Sequence, residues 1–496
     1  MTALLGSPKS ALDMSVIEEN AVALGVSLGE LMENAGRAIA EDASRHLPPA
    51  PARVAVVAGS GNNGGDGTCA AFYLQQWGYS PEVWLVRPAS EIRSSAARRC
   101  WERAHARMPS HDRSPRAAEL SAVPLVIDAM LGTGQGGELR SPYREACEEI
   151  RASGAPVLSV DLPTGMGSDG ALRPRWTVTF TEKKAGMTEA SCGEVTVRSV
   201  GIPETAWSET GPGEFRFLST GAPRGSRSRR GRIAVVGGGP YSGAPALAAL
   251  AALRTGCERA SVLAPWPAAD RIQGFSADLV VTAVGDGEFH LSDVALLTER
   301  LSTNPPDALV LGMGAGADSG TCEAFSEVIA RFRGKIPLVV DADALAAIPP
   351  RSSSGTPGDL IATPNAGEYR RVFGATAPSE EGDRLEEARR IASERGITLV
   401  VKGEPDLLTD GRFAFVNRRH APAQTVAGAG DVLAGTLGGL LGQGLPATGA
   451  VRLATFWVGE AGVRAAARIG PGLLASEILP ELSMVRLERD RKGTAL

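Results

Sequence analysis

The chain has 496 residues, of which 43% are hydrophobic and 22% charged, with 56 acidic against 51 basic side chains. That length exceeds one hydrophobic core of ordinary size, so two or three domains are expected, and the composition excludes a mostly disordered chain. The slight acidic excess carries no electrostatic footprint for nucleic acid or an anionic membrane surface, which leaves a small molecule as the expected partner.

The six cysteines (Cys69, Cys100, Cys147, Cys192, Cys257, Cys322) are scattered without a CxxC pair. They read as reduced, mostly buried thiols of a cytoplasmic protein. The five histidines (His46, His105, His111, His290, His420) show no metal-binding spacing, so no zinc site is expected. The opening "MTALLGSPKSALDMSVIEENA" lacks a basic stretch followed by a long apolar core, and no window suits a bilayer span.

Apolar residues recur at helical spacing from residue 12 to 46, and Pro48-Pro49 stops the second of two helices. A βα alternation follows, with strands expected at "RVAVVAG", "SPEVWLV", "VPLVIDAM", "APVLSVDLP" and "WTVTF". This pattern implies an α/β domain with a parallel sheet covered on both faces. Residues 201–231 break the periodicity with Gly, Pro, Ser and Arg, so domains are expected at 1–222 and 223–496. The run "RGSRSRRG" reads as a solvated linker, with a basic interaction patch as the alternative. A second alternation runs through "RIAVVGGG", "RASVLAP", "ALVLGMG", "IPLVVDADAL", "LIATPN" and "TLVVKG". The later glycine-rich "AGAGDVLAGTLGGLLGQGLPATGA" reads as a buried, close-packed helix.

"GSGNNGGDG" at residues 59–67 follows an apolar strand. Successive N–H groups in such a turn form a nest for an anion, and missing side chains admit phosphate or ribose. A tight strand-to-helix turn capped by asparagine is the alternative. "IDAMLGTGQGGE" and "SVDLPTGMGSDG" likewise put Asp128 and Asp161 at strand ends ahead of glycine-rich loops. In open α/β sheets ligands gather at such carboxyl ends.

"GNNGGDG", "DAMLGTG", "SVDLPTG", "TVTFTEKKAG" and the earlier "MENAGRAIAE" resemble the YjeF N-terminal family, which includes NAD(P)H-hydrate epimerases and the apolipoprotein A-I-binding protein. The resemblance implies a Rossmann-like domain in which Asn62, Asn63, Gly64, Gly65 and Asp66 contact a hydrated dinucleotide. It also implies that Asn63, Asp128 and Thr164 hold K+, with Thr164 standing where the family usually has serine. Gly132, Thr133, Gly134, Gln135, Gly136, Gly137, Glu138 and Tyr143 would complete the substrate site. Asp161 would be the acid/base at the hydrated ring carbon, with Lys184 setting its charge state.

In the second half, "TVAGAGDVLAGTLGG" places Gly428, Gly430 and Asp431 at a helix N-terminus, where N–H groups can hold developing phosphate charge and Asp431 can deprotonate a hydroxyl. With "GGGPYSGAPALAALAALRTGC", "LGMGAG", "VVDADAL", "TPNAGEYRRV" and "VVKG", it resembles the YjeF C-terminal family, the ribokinase-like ADP- or ATP-dependent NAD(P)H-hydrate dehydratases. The resemblance implies that Ala244, Gly314 and Asn365 lie against substrate and that Asp431 is the base. Lys402, Gly403, Glu404, Pro405, Asp406, Gly428 and Gly430 would bind the adenine nucleotide, with Mg2+ as its companion.

Two departures stand out. Asn365 replaces the histidine of the family's TPHxGE, and an amide cannot titrate. "EPD" follows "VVKG" where the family has a small residue and threonine, and acids beside phosphate repel unless Mg2+ bridges them. They leave open a weaker or altered dehydratase. The joint reading is two three-layer domains that epimerise hydrated NAD(P)H and dehydrate its S form with ADP. A ribokinase-like small-molecule kinase fused to a binding scaffold is the alternative, and homo-oligomerisation stays open.

Overall fold

The computed structural model describes residues 10–133, 137–220, 230–350, 356–374 and 380–494. Contacts divide the chain into two compact units, with the division between Ala206 and Trp207.

The first unit opens with helices Ala11–Ala23 and Leu28–Ser44, each started by a capping box in which a serine hydroxyl (Ser10, Ser27) accepts an N–H and an acid (Asp13, Glu30) accepts one in return. Strands β1 (Arg53–Ala58), β2 (Ser80–Leu85), β3 (Ser110–His111), β4 (Val126–Ala129), β5 (Val157–Val160), β6 (Trp176–Phe180) and β7 (Glu194–Arg198) form one sheet in the order β3-β2-β1-β4-β5-β6-β7. Every pairing is parallel. Leu31, Leu74 and Trp101 from three helices bury one face, and Tyr143 and Ile150 from the Tyr143–Ser153 helix bury the other. The expected three layers follow. The unexpected strands β3 and β7 are a two-residue strand and a half-exposed edge, both too weakly patterned to read from sequence.

In the second unit, β8 (Arg232–Val236), β9 (Arg259–Trp266), β10 (Val280–Asp286), β11 (Ala308–Leu311), β12 (Leu338–Val340), β13 (Leu360–Ala362), β14 (Thr398–Val401), β15 (Asp406–Thr409) and β16 (Ala414–Asn417) form a sheet in the order β10-β9-β8-β11-β12-β13-β14-β15-β16. Only β15 pairs antiparallel, with β14 on one side and β16 on the other. The glycine-rich stretch is the buried helix Ala429–Gly442. A Cβ on Gly435 would stand 1.9 Å from the Ala248 carbonyl oxygen, so glycine there permits the close approach of the Gly243–Arg254 helix.

Trp207–Thr220 belongs to this second unit rather than to a linker. The Phe215 ring lies 5.1 Å from that of Trp457, and buried Glu214 pairs with Arg452 Nε at 3.0 Å. The division therefore comes ahead of the one expected after residue 222. Most of the basic run at 224–231 lies outside the described residues. Among the described residues no helix is long and apolar enough to cross a membrane.

Candidate functional site

The first sheet changes direction of growth between β1 and β4, the place where open α/β sheets hold ligands. Asn63 and Asp66 follow β1, Asp128 lies in β4, Asp161 follows β5 and Lys184 follows β6. Asp161 takes a left-handed backbone, φ 64°, uncommon for a residue with a side chain and of the strained kind that clusters at working sites. Its N–H donates to the Val178 carbonyl at 2.7 Å, and Thr133 N–H donates to its Oδ2 at 3.0 Å. Lys184 Nζ lies 2.8 Å from Asp161 Oδ1 and donates to Thr179 Oγ1 and the Phe180 carbonyl, each at 2.8 Å. All three ammonium hydrogens are engaged. A Cβ on Gly132 would sit 2.8 Å from Asp161 Oδ2 and 3.1 Å from Asn63 Oδ1, so Asn63, Gly132 and Asp161 meet at one point. A cavity of about 200 Å³ opens beside them, bounded by Gly132, Thr133, Lys184 and the apolar Leu162, Pro163 and Met166. Those three lie within the quoted "SVDLPTGMGSDG" but are not among the expected site residues.

The glycines after β1 answer to packing. Helix Asn62–Gln76 begins at once, so Gly64, Gly65 and Gly67 lie in its first turns. A Cβ would meet the Gly59 carbonyl oxygen at 1.8 Å from Gly64, Met32 at 2.6 Å from Gly65, and Ala129 at 2.3 Å from Gly67. Gly61 has open space. Burial, then the charges of Glu18 and Asp161, push the Asp66 carboxyl well above the usual carboxylate range.

Asp128 is fully buried. It accepts from Thr164 Oγ1 at 2.7 Å, Thr164 N at 3.0 Å, Ser159 Oγ at 2.8 Å and Met130 N at 3.3 Å, and burial pushes its carboxyl up despite these bonds. Asn63 Nδ2 is buried without a partner. Tyr143 is packed in the core with the Arg87 guanidinium 5.5 Å above its ring, Glu138 is exposed, and Gly134, Gln135 and Gly136 lie outside the described residues.

In the second unit, Lys402 follows β14 and its Nζ pairs with Asp341 Oδ1 at 2.8 Å, with Glu368 at 3.9 Å. A Cβ on Gly430 would stand 3.0 Å from Lys402 Nζ. Burial opposes the lysine charge, but Asp341, Glu368 and Asp431 hold its pKa above the ordinary value. Asp431, in the first turn of Ala429–Gly442, has its carboxyl pushed up to about 7 by burial and then by the charge of Asp341. Gly428 caps that helix at φ 95°, and Gly314 at φ 67° would drive a Cβ to 2.3 Å from the Tyr241 carbonyl oxygen. Ala244 is half-buried in the first turn of Gly243–Arg254.

Both sequence departures have structural explanations. Asn365 caps the Ala366–Phe373 helix, its Oδ1 accepting from Gly367 N and Glu368 N at 2.9 Å each. Asp406 opens β15 and turns inward, accepting from Gly403 N and Asn417 Nδ2 at 2.9 Å each. Pro405 is buried, and Glu404 is exposed with His420 3.3 Å away. Asp341 and Glu368 were absent from the expected site. Asp341 ends an apolar strand just as Asp161 does, so the same rule reaches it, whereas Glu368 closes the "TPNAGE" stretch and reads there also as the acid of a capping box.

Residues 28–186 match the family model described as YjeF-related protein N-terminus, and residues 233–483 match that described as NAD(P)H-hydrate dehydratase. The bifunctional NAD(P)H-hydrate repair enzyme Nnr of Pyrobaculum aerophilum is 36% identical, over 96% of this chain and 97% of its own. The chain belongs to the bifunctional NAD(P)H-hydrate repair enzyme family. The family member of Hyperthermus butylicus is 34% identical over 96% of this chain and 92% of its own. A Bacillus subtilis ADP/ATP-dependent NAD(P)H-hydrate dehydratase co-crystallised with ATP and Mg2+ is similar at 22% identity and a TM-score of 0.47, over 56% of this chain and 97% of its own.

Proposed function

We propose that the first unit of this repair enzyme interconverts the R and S epimers of hydrated NAD(P)H, and that the second dehydrates the S form at the expense of ADP, giving NAD(P)H, AMP and phosphate. The observation that carries the first half is Asp161, held in a left-handed backbone beside the cavity with Lys184 2.8 Å away. Asp161 moves the proton at the hydrated ring carbon, and Lys184 with Thr133 N–H aims the carboxylate. Asn62, Asn63 and the start of helix Asn62–Gln76 receive the dinucleotide, with N–H groups facing its phosphates.

Asp128 fits a cation because it is buried and, among the described residues, receives only neutral donors. Asn63, Asp128 and Thr164 would hold K+, whose charge would offset that burial. In the second unit Asp431 takes the proton of the ring hydroxyl as oxygen attacks the terminal phosphate. Lys402 and the N–H groups at Gly428–Gly430 face the developing charge. Loss of phosphate then restores the ring double bond. Mg2+ would arrive on the nucleotide, which suits the carboxylate-rich surroundings of Lys402.

The test is recovery of the reduced-nicotinamide absorbance from mixed R and S NADPH hydrate with Mg2+, K+ and either ADP or ATP. Complete recovery, faster than spontaneous epimerisation, is expected with ADP. Recovery of the S fraction alone would remove the epimerase assignment, and no recovery with either donor would remove the dehydratase.

A further inference from the structure

Outside both sites, the first unit holds a second cluster of chemically active groups. Cys69 lies on helix Asn62–Gln76 and Cys100 on helix Ser95–His105, and their sulfurs and the Glu33 carboxylate lie within 4.8 Å of one another. Cys69 Sγ lies 3.2 Å from Glu33 Oε2, and Arg103 Nη2 approaches the same sulfur at 3.2 Å. Arg103 also pairs with Glu33 at 2.8 Å and stacks on Phe72 at 4.0 Å. Three such ligands could hold a soft cation, but the guanidinium already occupies two of them, and its charge disfavours a metal. The same charge favours a thiolate at Cys100.

We propose that Cys69 and Cys100 are an oxidisable dithiol that closes to an intramolecular disulfide under peroxide or a small-molecule disulfide. The Cys100 thiol differs in kind from its neighbours, whereas the hydrogen bond to Cys100 and then burial push the Cys69 thiol far up, as befits a resolving thiol that keeps its proton until it attacks. Hydrogen bonding from Cys69 holds the Cys100 thiol below the usual range against burial, with the charges of Arg103 and Arg99 adding to it. Burial instead pushes Cys147 up, and Cys257 up to about 12. Cys100 is 5% exposed, and a cleft of about 600 Å³ reaches Glu33 and Arg99 between Ser27 and Asn34. That cleft brings solvent to the Glu33 carboxylate and Arg99, the neighbours of the pair, while the sulfurs themselves lie behind them.

The chemistry balances without a further partner. The Cys100 thiolate attacks a peroxide oxygen, breaking the O–O bond to give a sulfenic acid and hydroxide, which leaves as water. Cys69 sulfur then attacks the Cys100 sulfur, the S–S bond forms and the sulfenic oxygen departs as a second water. Glu33 stands ready to take the Cys69 proton and pass it to that leaving group. Two electrons pass from the thiol pair to peroxide.

The experiment treats the full chain with graded hydrogen peroxide, or with oxidised glutathione, then blocks free thiols and maps peptides by mass spectrometry. The expected result is a linked Cys69–Cys100 peptide pair that appears before Cys147, Cys192, Cys257 or Cys322 reacts and disappears with dithiothreitol. Cys69→Ser should leave Cys100 as a sulfenic acid trapped by dimedone, and Cys100→Ser should leave Cys69 unreacted. Oxidation of Cys322 ahead of the pair, or oxidation of Cys100 in the wild-type chain without linkage, would overturn the proposal. The wild-type map decides it even if a serine variant misfolds, and it does so independently of either repair activity.

Discussion

Replacing Lys184 by methionine keeps most of the side-chain volume and removes the ammonium that Asp161 Oδ1, Thr179 Oγ1 and the Phe180 carbonyl share at 2.8 Å each. The side chains of Lys184 and Asp161 are only 4% and 12% exposed, so water cannot fully replace the lost charge. Breaking a buried pair from one side costs about 3–5 kcal/mol, chiefly through the charge left behind. The residual exposure of Asp161 argues for the lower end, about 3 kcal/mol. Asp161→Asn/Lys184→Met leaves no buried charge and should cost about 1–2 kcal/mol, the price of the remaining unpaired polar groups. Calorimetry of the full chain reads these losses as downward shifts of the first unit's transition. Epimerisation by Lys184→Met should fall by about 100-fold or more, since Asp161 loses the group that aims it. A double variant as unstable as the single one would refute the electrostatic reasoning, and an unchanged epimerisation rate would refute the catalytic role of the pair.

Three further expectations follow from the geometry. Gly64→Ala sets a Cβ 1.8 Å from the Gly59 carbonyl oxygen and should destabilise the first unit by about 1–3 kcal/mol, whereas Gly61→Ala meets open space and should leave the melting profile unchanged. Dehydration should rise as pH increases through about 7, where Asp431 ionises, and Asp431→Asn should abolish it. Because that carboxyl binds its proton more tightly folded than unfolded, its contribution to stability should fall over the window from 3.8 to about 7, which pH-dependent denaturation would reveal. Asn365→Ala removes the cap of the Ala366–Phe373 helix and should cost about 1 kcal/mol, while Asn365→Ser, which keeps an acceptor oxygen, should cost less in the same melt.

The strand-end aspartates were legible because an aspartate closing an apolar run marks the carboxyl end of a buried parallel strand. Asp128 and Asp161 follow from that rule, and Asp341 would have followed from applying it to "LVVD". The glycines were only half legible. A residue without a Cβ admits a phosphate or a neighbouring backbone equally well, and sequence does not say which neighbour arrives. At Gly64, Gly65 and Gly67 protein atoms already require glycine, so these positions do not by themselves mark ligand contact. β15 is hard to read because "EPDLLTDG" has the composition of a loop, and only its pairing with β14 and β16 makes part of it a strand.

The same distinction between residue type and side-chain direction removes the objection to the second unit. Two acids after "VVKG" look hostile to a nucleotide when counted, but Asp406 spends its carboxylate on Gly403 N and Asn417 Nδ2. Asn365 likewise does in this chain what any good cap does, and its failure to titrate costs that role nothing. What remains around the reacting position is one lysine among Asp341, Glu368 and Asp431. Burial first, and then that imbalance, hold the Asp431 proton affinity near neutrality, where the proposed base can take a hydroxyl proton and return it within one turnover. On the proposed reading, phosphate charge is met by Lys402, by helix N–H groups and by a cation brought with the nucleotide. The acids that tune the proposed base are Asp341, Asp343 and Glu368 rather than the pair after "VVKG", so the departure read from sequence and the shift at Asp431 are separate matters.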